Sequence, residues 1–149
     1  MGHLLAVAIA ALLIQSASPS QTLSQKREAL QPEVFVTTMT PEELARAAST
    51  GLEHDTEVAR SESITIVVTI AACEAGERGA CNASADVVAY KPDGSIHTEV
   101  KNLGLNSRRA TAPLPMTAND ATGLYKVVAT VRDLNARRFG KAERSFGVK

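Results

Sequence analysis

Aromatic side chains are scarce in this chain: three Phe, two Tyr and no Trp among 149 residues. No aromatics interleave with basic residues to give bases a stacking platform, which argues against nucleic acid as a partner. An excess of one charge is also lacking, since 16 Lys and Arg balance 16 Asp and Glu. Catalytic signatures are absent too: there is no Gly-x-Ser-x-Gly, no His-Glu-x-x-His and no phosphate loop. Beyond His3 the only histidines are His54 and His97, and neither lies in a Ser/His/Asp pattern. No enzymatic activity, resident cofactor or metal is therefore expected.

Long apolar runs are limited to one, residues 4–14, which is too short to span a bilayer and is followed by the small polar stretch Gln15–Ser20. This has the form of a signal peptide over residues 1–20, cut near Ser18 or Ser20. Its first residues carry no Lys or Arg, and no cysteine near the cut could accept a lipid. The exported chain is expected to be periplasmic or secreted and not membrane-spanning. Residues 21–33 are polar and patternless and read as a flexible arm. Residues 34–149 have the length of one domain.

Within that domain the dominant signal is alternation. In Ser63–Ala72 the residues Ile64, Ile66, Val68 and Ile70 share one face, and Thr65, Val67 and Thr69 the other. Ser84–Tyr90, the run starting at Ile96, Gly123–Asp133 and Ala142–Val148 alternate likewise, while Ala110–Leu114 is limited by Pro113 and Pro115 to an edge. Ile96, Thr98 and Val100 are assigned to the core face and His97 to solvent. Val34–Thr38 is a further short strand, and Glu57–Arg60 a minor one. Thr40-Pro41-Glu42-Glu43 joins a capping Thr, a Pro at the first helical position and a Glu three residues on, so a helix is expected over Pro41–Ala48. Lys91-Pro92-Asp93-Gly94 has the residues of a tight turn.

About seven strands with a single small helix exclude a regular βαβ alternation, leaving an antiparallel sandwich or a small barrel. Asp120, Gly123 and Tyr125, at the entry of a long late strand, resemble the tyrosine corner of immunoglobulin-like sandwiches. The expected fold is mainly β: an immunoglobulin-like antiparallel β-sandwich with one short N-terminal helix.

Cys73 and Cys81, the only cysteines, flank a short polar loop between two alternating runs. In an oxidising compartment they read as a disulfide stapling a β-hairpin. The phases disagree, however: Cys81 is in step with the inward Ala85, Val87 and Ala89, whereas Cys73 is out of step with Ile64 to Ile70. A bulge near Ala71-Ala72, or cysteines beyond the strand ends, would reconcile them. The spacing does not suit a redox Cys-x-x-Cys pair. A metal site would need both sulfurs plus His54, His97, Glu74 or Glu77, with Cu(I) or Zn(II) the matching ions.

Charge divides unevenly along the chain: residues 21–99 hold 6 Lys/Arg and 13 Asp/Glu, residues 100–149 hold 10 and 3. Arg108, Arg109, Arg137 and Arg138 fall in two loops or turns, where they either meet an anionic partner or balance the acidic strands. Asn82-Ala83-Ser84 formally matches a glycosylation acceptor, relevant only in a eukaryotic host.

Several segments together resemble a family of uncharacterised secreted bacterial proteins with an immunoglobulin-like β-rich domain. They are Phe35-Val36-Thr37-Thr38 leading into Pro41-Glu42-Glu43, Cys73 with Gly79-Ala80-Cys81-Asn82, Lys91-Pro92-Asp93-Gly94-Ser95, Gly123-Leu124-Tyr125, Val131-Arg132-Asp133 and Phe146-Gly147-Val148. The chain departs from that family at Ala72, where an aromatic often stands. The resemblance implies export and the β-rich body, and it implies no activity.

The function expected is that of a non-enzymatic binding or accessory domain for a protein or cell-envelope component. Its candidate binding loops are Glu74–Ala80, with Glu74, Glu77 and Arg78, and Asn102–Arg109, with Arg108 and Arg109. Two alternatives stand beside it: an inhibitor of an exported hydrolase using the Glu74–Ala80 loop, and a metal-handling protein using Cys73 and Cys81.

Overall fold

A computed structural model describes residues 30–149. The signal peptide expected over 1–20 and most of the arm expected over 21–33 lie outside the described residues. Eight strands and one helix follow in order: β1 (Pro32–Thr37), α1 (Pro41–Arg46), β2 (Glu57–Val58), β3 (Ile64–Ile70), β4 (Ala83–Tyr90), β5 (Ile96–Gly104), β6 (Arg109–Leu114), β7 (Gly123–Asp133) and β8 (Arg138–Val148). They form two facing sheets, β1-β3-β6 and β2-β8-β7-β4-β5. All pairings are antiparallel except the short β2–β8 bridge. The fold is an immunoglobulin-like β-sandwich. Among the described residues no helix is long and apolar enough to cross a membrane.

The core follows the alternation. Ile64, Ile66, Val68 and Ile70 of the smaller sheet face Ala85, Val87, Ala89, Val127, Ala129 and Val131 of the larger one. Large branched side chains thus meet small ones, which lets two twisted sheets approach closely. Tyr125 and Phe146 stack beside them, ring centres 5.7 Å apart. Each fully buried Ile or Phe contributes roughly 1.5–3 kcal/mol relative to exposure. Val67, on the outward face of β3, is also fully buried, and Leu44 of α1 is buried against the same side of the molecule. Thr40 caps α1 as expected, accepting from the Glu43 amide while Glu43 accepts from the Thr40 amide.

Several expectations are corrected. The cysteine-flanking strands do not form a hairpin, because β3 lies in one sheet and β4 in the other. Residues 71–82 cross between sheets, so each strand keeps its own inward set and no bulge is needed to reconcile their phases. Ile96 is 56 % exposed, whereas the His97 side chain is only 8 % exposed. The cause is an irregularity in the β4–β5 register, where Ala89 pairs with Thr98 but Tyr90 with Ile96; the extra residue turns His97 inward. The sheet also starts earlier than the arm boundary allows: Leu30 is buried in the core and β1 begins at Pro32. The helix stops at Arg46, since Ala47 is already extended. At the other end of the chain, β8 begins at Arg138 rather than Ala142.

Candidate functional site

β4 starts and β7 ends at one end of the sandwich, where the crossover carrying the cysteines, the β5–β6 turn and the β7–β8 turn converge. The Cys73 and Cys81 Cα atoms lie 5.7 Å apart and the sulfurs are joined in a disulfide. Cys81 is buried and Cys73 partly exposed. Between them the chain curls in a short 3-10 turn, Glu77–Gly79, with Arg78 at φ 66° and Gly79 at φ 74°. The Gly76 amide donates to the Ala80 carbonyl at 2.9 Å, closing the curl on itself. Glu74, Ala75, Arg78, Gly79 and Ala80 remain exposed. With both sulfurs bonded to each other, the thiolate pair that a metal would need is not present in this state.

A second fastening holds the same loop, and it comes from a residue not singled out as a candidate. Asp133, the last residue of β7, has a fully buried carboxylate that accepts from the Glu74 amide at 2.9 Å and pairs with Arg138 at 3.1 Å. Its other oxygen accepts from the amides of Asn135 and Ala136, each at 3.2 Å. Asn135 then donates from its side chain to the Glu74 carbonyl at 2.9 Å. Burial pushes the Asp133 carboxyl up, but the Glu74 and Ala136 amides and the Arg138 guanidinium outweigh it and hold it below the usual carboxylate range. A signal for this residue exists in the sequence: Asp133 is in step with the inward Tyr125, Val127, Ala129 and Val131, and a buried acid needs partners.

The β5–β6 turn is positioned by Leu105, which is fully buried and whose amide donates to the Ala83 carbonyl at 2.9 Å. Beyond it, Arg108 takes φ 64° and donates to the Ala71 carbonyl at 3.3 Å. The turn and the Cys loop wall one cleft of about 380 Å³, lined by Cys73, Ala75, Gly79 and Cys81 on one side and Asn106, Ser107 and Arg108 on the other. The fold therefore brings Arg108 beside the Cys loop. Arg109 turns elsewhere, donating to the Leu44 carbonyl of α1 at 2.9 Å.

Asp120, Gly123 and Tyr125 lie at the opposite end. The Tyr125 hydroxyl donates to the Ala121 carbonyl at 2.9 Å; burial, reinforced by Asp120, pushes its pKa up. Gly123 sits at φ 130° with a Pro92 side-chain carbon 3.0 Å from where a Cβ would stand. Asp120 accepts from the amide and hydroxyl of Thr117 at 2.7 and 3.0 Å, and those bonds hold its carboxyl below the usual range. His97 hydrogen-bonds the Pro115 carbonyl at 2.6 Å, lies 3.6 Å from Asp120 and meets Tyr125 edge-on. The bond from Nε2 to Pro115 ties β5 to the segment between β6 and β7. Arg60 adds bonds to the Ala118 and Asp120 carbonyls at 2.7 and 2.9 Å. His54, which the sequence places in a polar loop, instead bridges the sheets: it accepts from the Val36 amide at 3.2 Å and lies 3.1 Å from the Ser145 carbonyl. Among the described residues no cluster of three or more His, Cys, Asp or Glu is arranged to hold a metal ion.

No family model matches the chain, and no curated protein matches it significantly. Among solved structures it is similar to CopC from Methylosinus trichosporium OB3b, with a TM-score of 0.46 and 17 % identity over 78 % of this chain and 93 % of that one.

Proposed function

We propose that this chain is an exported, non-enzymatic binding or accessory domain whose recognition surface is the end carrying the Cys loop. One observation carries the reading: residues distant in sequence, 73–81 and 106–108, wall a single cleft. The disulfide and the Asp133 cage pre-order that cleft, so less entropy is lost when a partner docks. The disulfide also supports residence in an oxidising compartment, periplasmic or extracellular. The exposed cations Arg78, Arg108 and Arg137 favour a partner presenting carboxylates or another anion to this end.

A photocrosslinking residue placed at Ala75 or at Ser107 tests the reading, with Lys126 on the outward face of β7 as the control position. Capture of the same periplasmic partner from both cleft positions and not from Lys126 is the expected result. Equal capture from all three positions rejects the cleft as the recognition surface. The hydrolase-inhibitor reading has its own support in the doubly fastened, exposed loop with Arg78 near its tip. It would be recognised if the captured partner were a hydrolase whose turnover the purified protein slows.

A further inference from the structure

The outward face of the three-stranded sheet carries α1. On β6 the outward residues are Arg109, Thr111 and Pro113, since Ala110, Ala112 and Leu114 are the buried set, and Thr65 of β3 pairs with Pro113. Leu44 is the buried residue of α1. One side chain does not fill the space between a helix and a sheet. A groove of about 400 Å³ is left between Pro41, Leu44 and Ala45 on the helix and Thr65, Thr111 and Pro113 on the strands. That volume is in the range of small-ligand sites, roughly 300–1,000 Å³. Among the described residues the groove and the Cys-loop cleft share no lining residue.

The groove is apolar but for one ion. Its walls offer the aliphatic surface of Pro41, Leu44, Ala45 and Pro113 and the side chains of two threonines, and among the described residues no carboxylate lines it. The ion is Arg109, at the start of β6, whose half-buried side chain donates to the Leu44 carbonyl at 2.9 Å. That carbonyl lies in the last turn of α1, where carbonyls lack a partner within the helix, and this turns the guanidinium toward α1. Among the described residues it is the only hydrogen-bond or ion-pair partner of the Arg109 side chain. A guanidinium carries five donors and a full positive charge. A half-buried cation beside apolar surface is best matched by an anion that can take two of those donors at once.

We infer that this groove binds an aliphatic monocarboxylate, its carboxylate on Arg109 and its hydrocarbon chain between α1 and β6. The carboxylate takes donors of Arg109 that the Leu44 carbonyl leaves free. The chain covers the apolar walls, so burial of its methylenes supplies affinity while the ion pair fixes its direction. A sugar acid or a peptide would bring several more polar groups, and beyond two threonine hydroxyls the side chains of these walls offer them no partner. The site does not depend on the Cys-loop cleft having a partner.

Titration of the ¹⁵N-labelled protein with octanoate below its micelle-forming concentration, read by NMR, tests this. Octanol keeps the chain without the charge, and acetate keeps the charge without the chain. Octanoate should shift the amides of Leu44 and Thr111 saturably, with octanol binding about tenfold more weakly for loss of the charge-assisted contact. Acetate should give no saturable shift over the same range. In Arg109→Gln, whose side-chain amide can still donate to the Leu44 carbonyl, octanoate should bind no more tightly than octanol. Absence of a saturable octanoate shift, equal binding of octanoate and octanol, or saturable binding of acetate would each overturn the proposal. So would shifts centred on the exposed Phe139 instead of the groove, or a preference for octanoate that survives in Arg109→Gln. The comparison of the three ligands on the wild-type protein decides the matter by itself if Arg109→Gln loosens α1.

Discussion

The two ends of the sandwich use one device in different surroundings. At each, an aspartate at an end of β7 gathers backbone amides from a neighbouring turn: Asp133 those of Glu74, Asn135 and Ala136, and Asp120 that of Thr117. At the Asp133 end the carboxylate is sealed beneath a disulfide-closed loop, and an open cleft lies next to it. At the Asp120 end the carboxylate is 12 % exposed, His97 and Arg60 pack against its segment, and a smaller cleft of about 300 Å³ opens beside Arg60 and Ala118. The difference lies in how far the holding carboxylate is sealed from water, fully at Asp133 and partly at Asp120.

Removing the two aspartates gives the largest effect and breaks the comparison most directly. Asp133→Ala strips Arg138 of its buried partner and leaves three amides without an acceptor, which should cost about 3–5 kcal/mol in urea unfolding. Asp120→Ala should cost distinctly less, because water reaches Thr117 and His97. Equal losses would show that the two ends are built alike.

Reducing the Cys73–Cys81 bond comes next. A loop this short constrains the unfolded chain by roughly 2.5 kcal/mol, and that amount should vanish on reduction or in Cys73→Ser/Cys81→Ser. The NMR shift of the Glu74 amide should nonetheless stay near its oxidised value, because Asp133 and Asn135 still grip that residue. Collapse of the Glu74 signal to a random-coil position would make the sulfur link the sole fastening.

The smallest effect at neutral pH is electrostatic. Asp133 and Asp120 are both held below the ordinary Asp value of 3.8. A carboxyl depressed on folding contributes stability that is fully present above the unfolded value and is lost as pH falls through the folded one. Stability measured from pH 6 downward should therefore stay level until about pH 4 and then decline. Asp133→Asn should flatten that acid limb more than Asp120→Asn.

Much of the fold was legible beforehand because alternation is a local property of the pleat. The inward sets of β3, β4 and β7 lie where their period places them, and Thr40 with Glu43 caps α1 through contacts within four residues. His97 was misread because one extra residue in the β4–β5 register inverts the phase, and no composition cue marks it. The hairpin expectation failed for a different reason: two runs joined by a short loop look the same whether they pair side by side or face each other across a core. The clash of phase between Cys73 and Cys81 was the visible trace of the second arrangement. Of the candidate residues, Cys73, Cys81 and Arg108 meet at one cleft, while Arg109 reaches α1 instead, because Arg108 sits at φ 64° in the turn and Arg109 begins β6.

By itself the amino-acid order determined which side chains turn inward, where the chain turns and where the helix begins. Each of these depends on interactions among residues a few positions apart. Tertiary structure alone decided which strands became neighbours, that the Cys loop crosses between sheets, that Asp133 reaches Glu74, and that Arg109 reaches Leu44. Those outcomes follow from how two sheets pack and in what register, a choice spread over contacts mostly more than thirty residues apart.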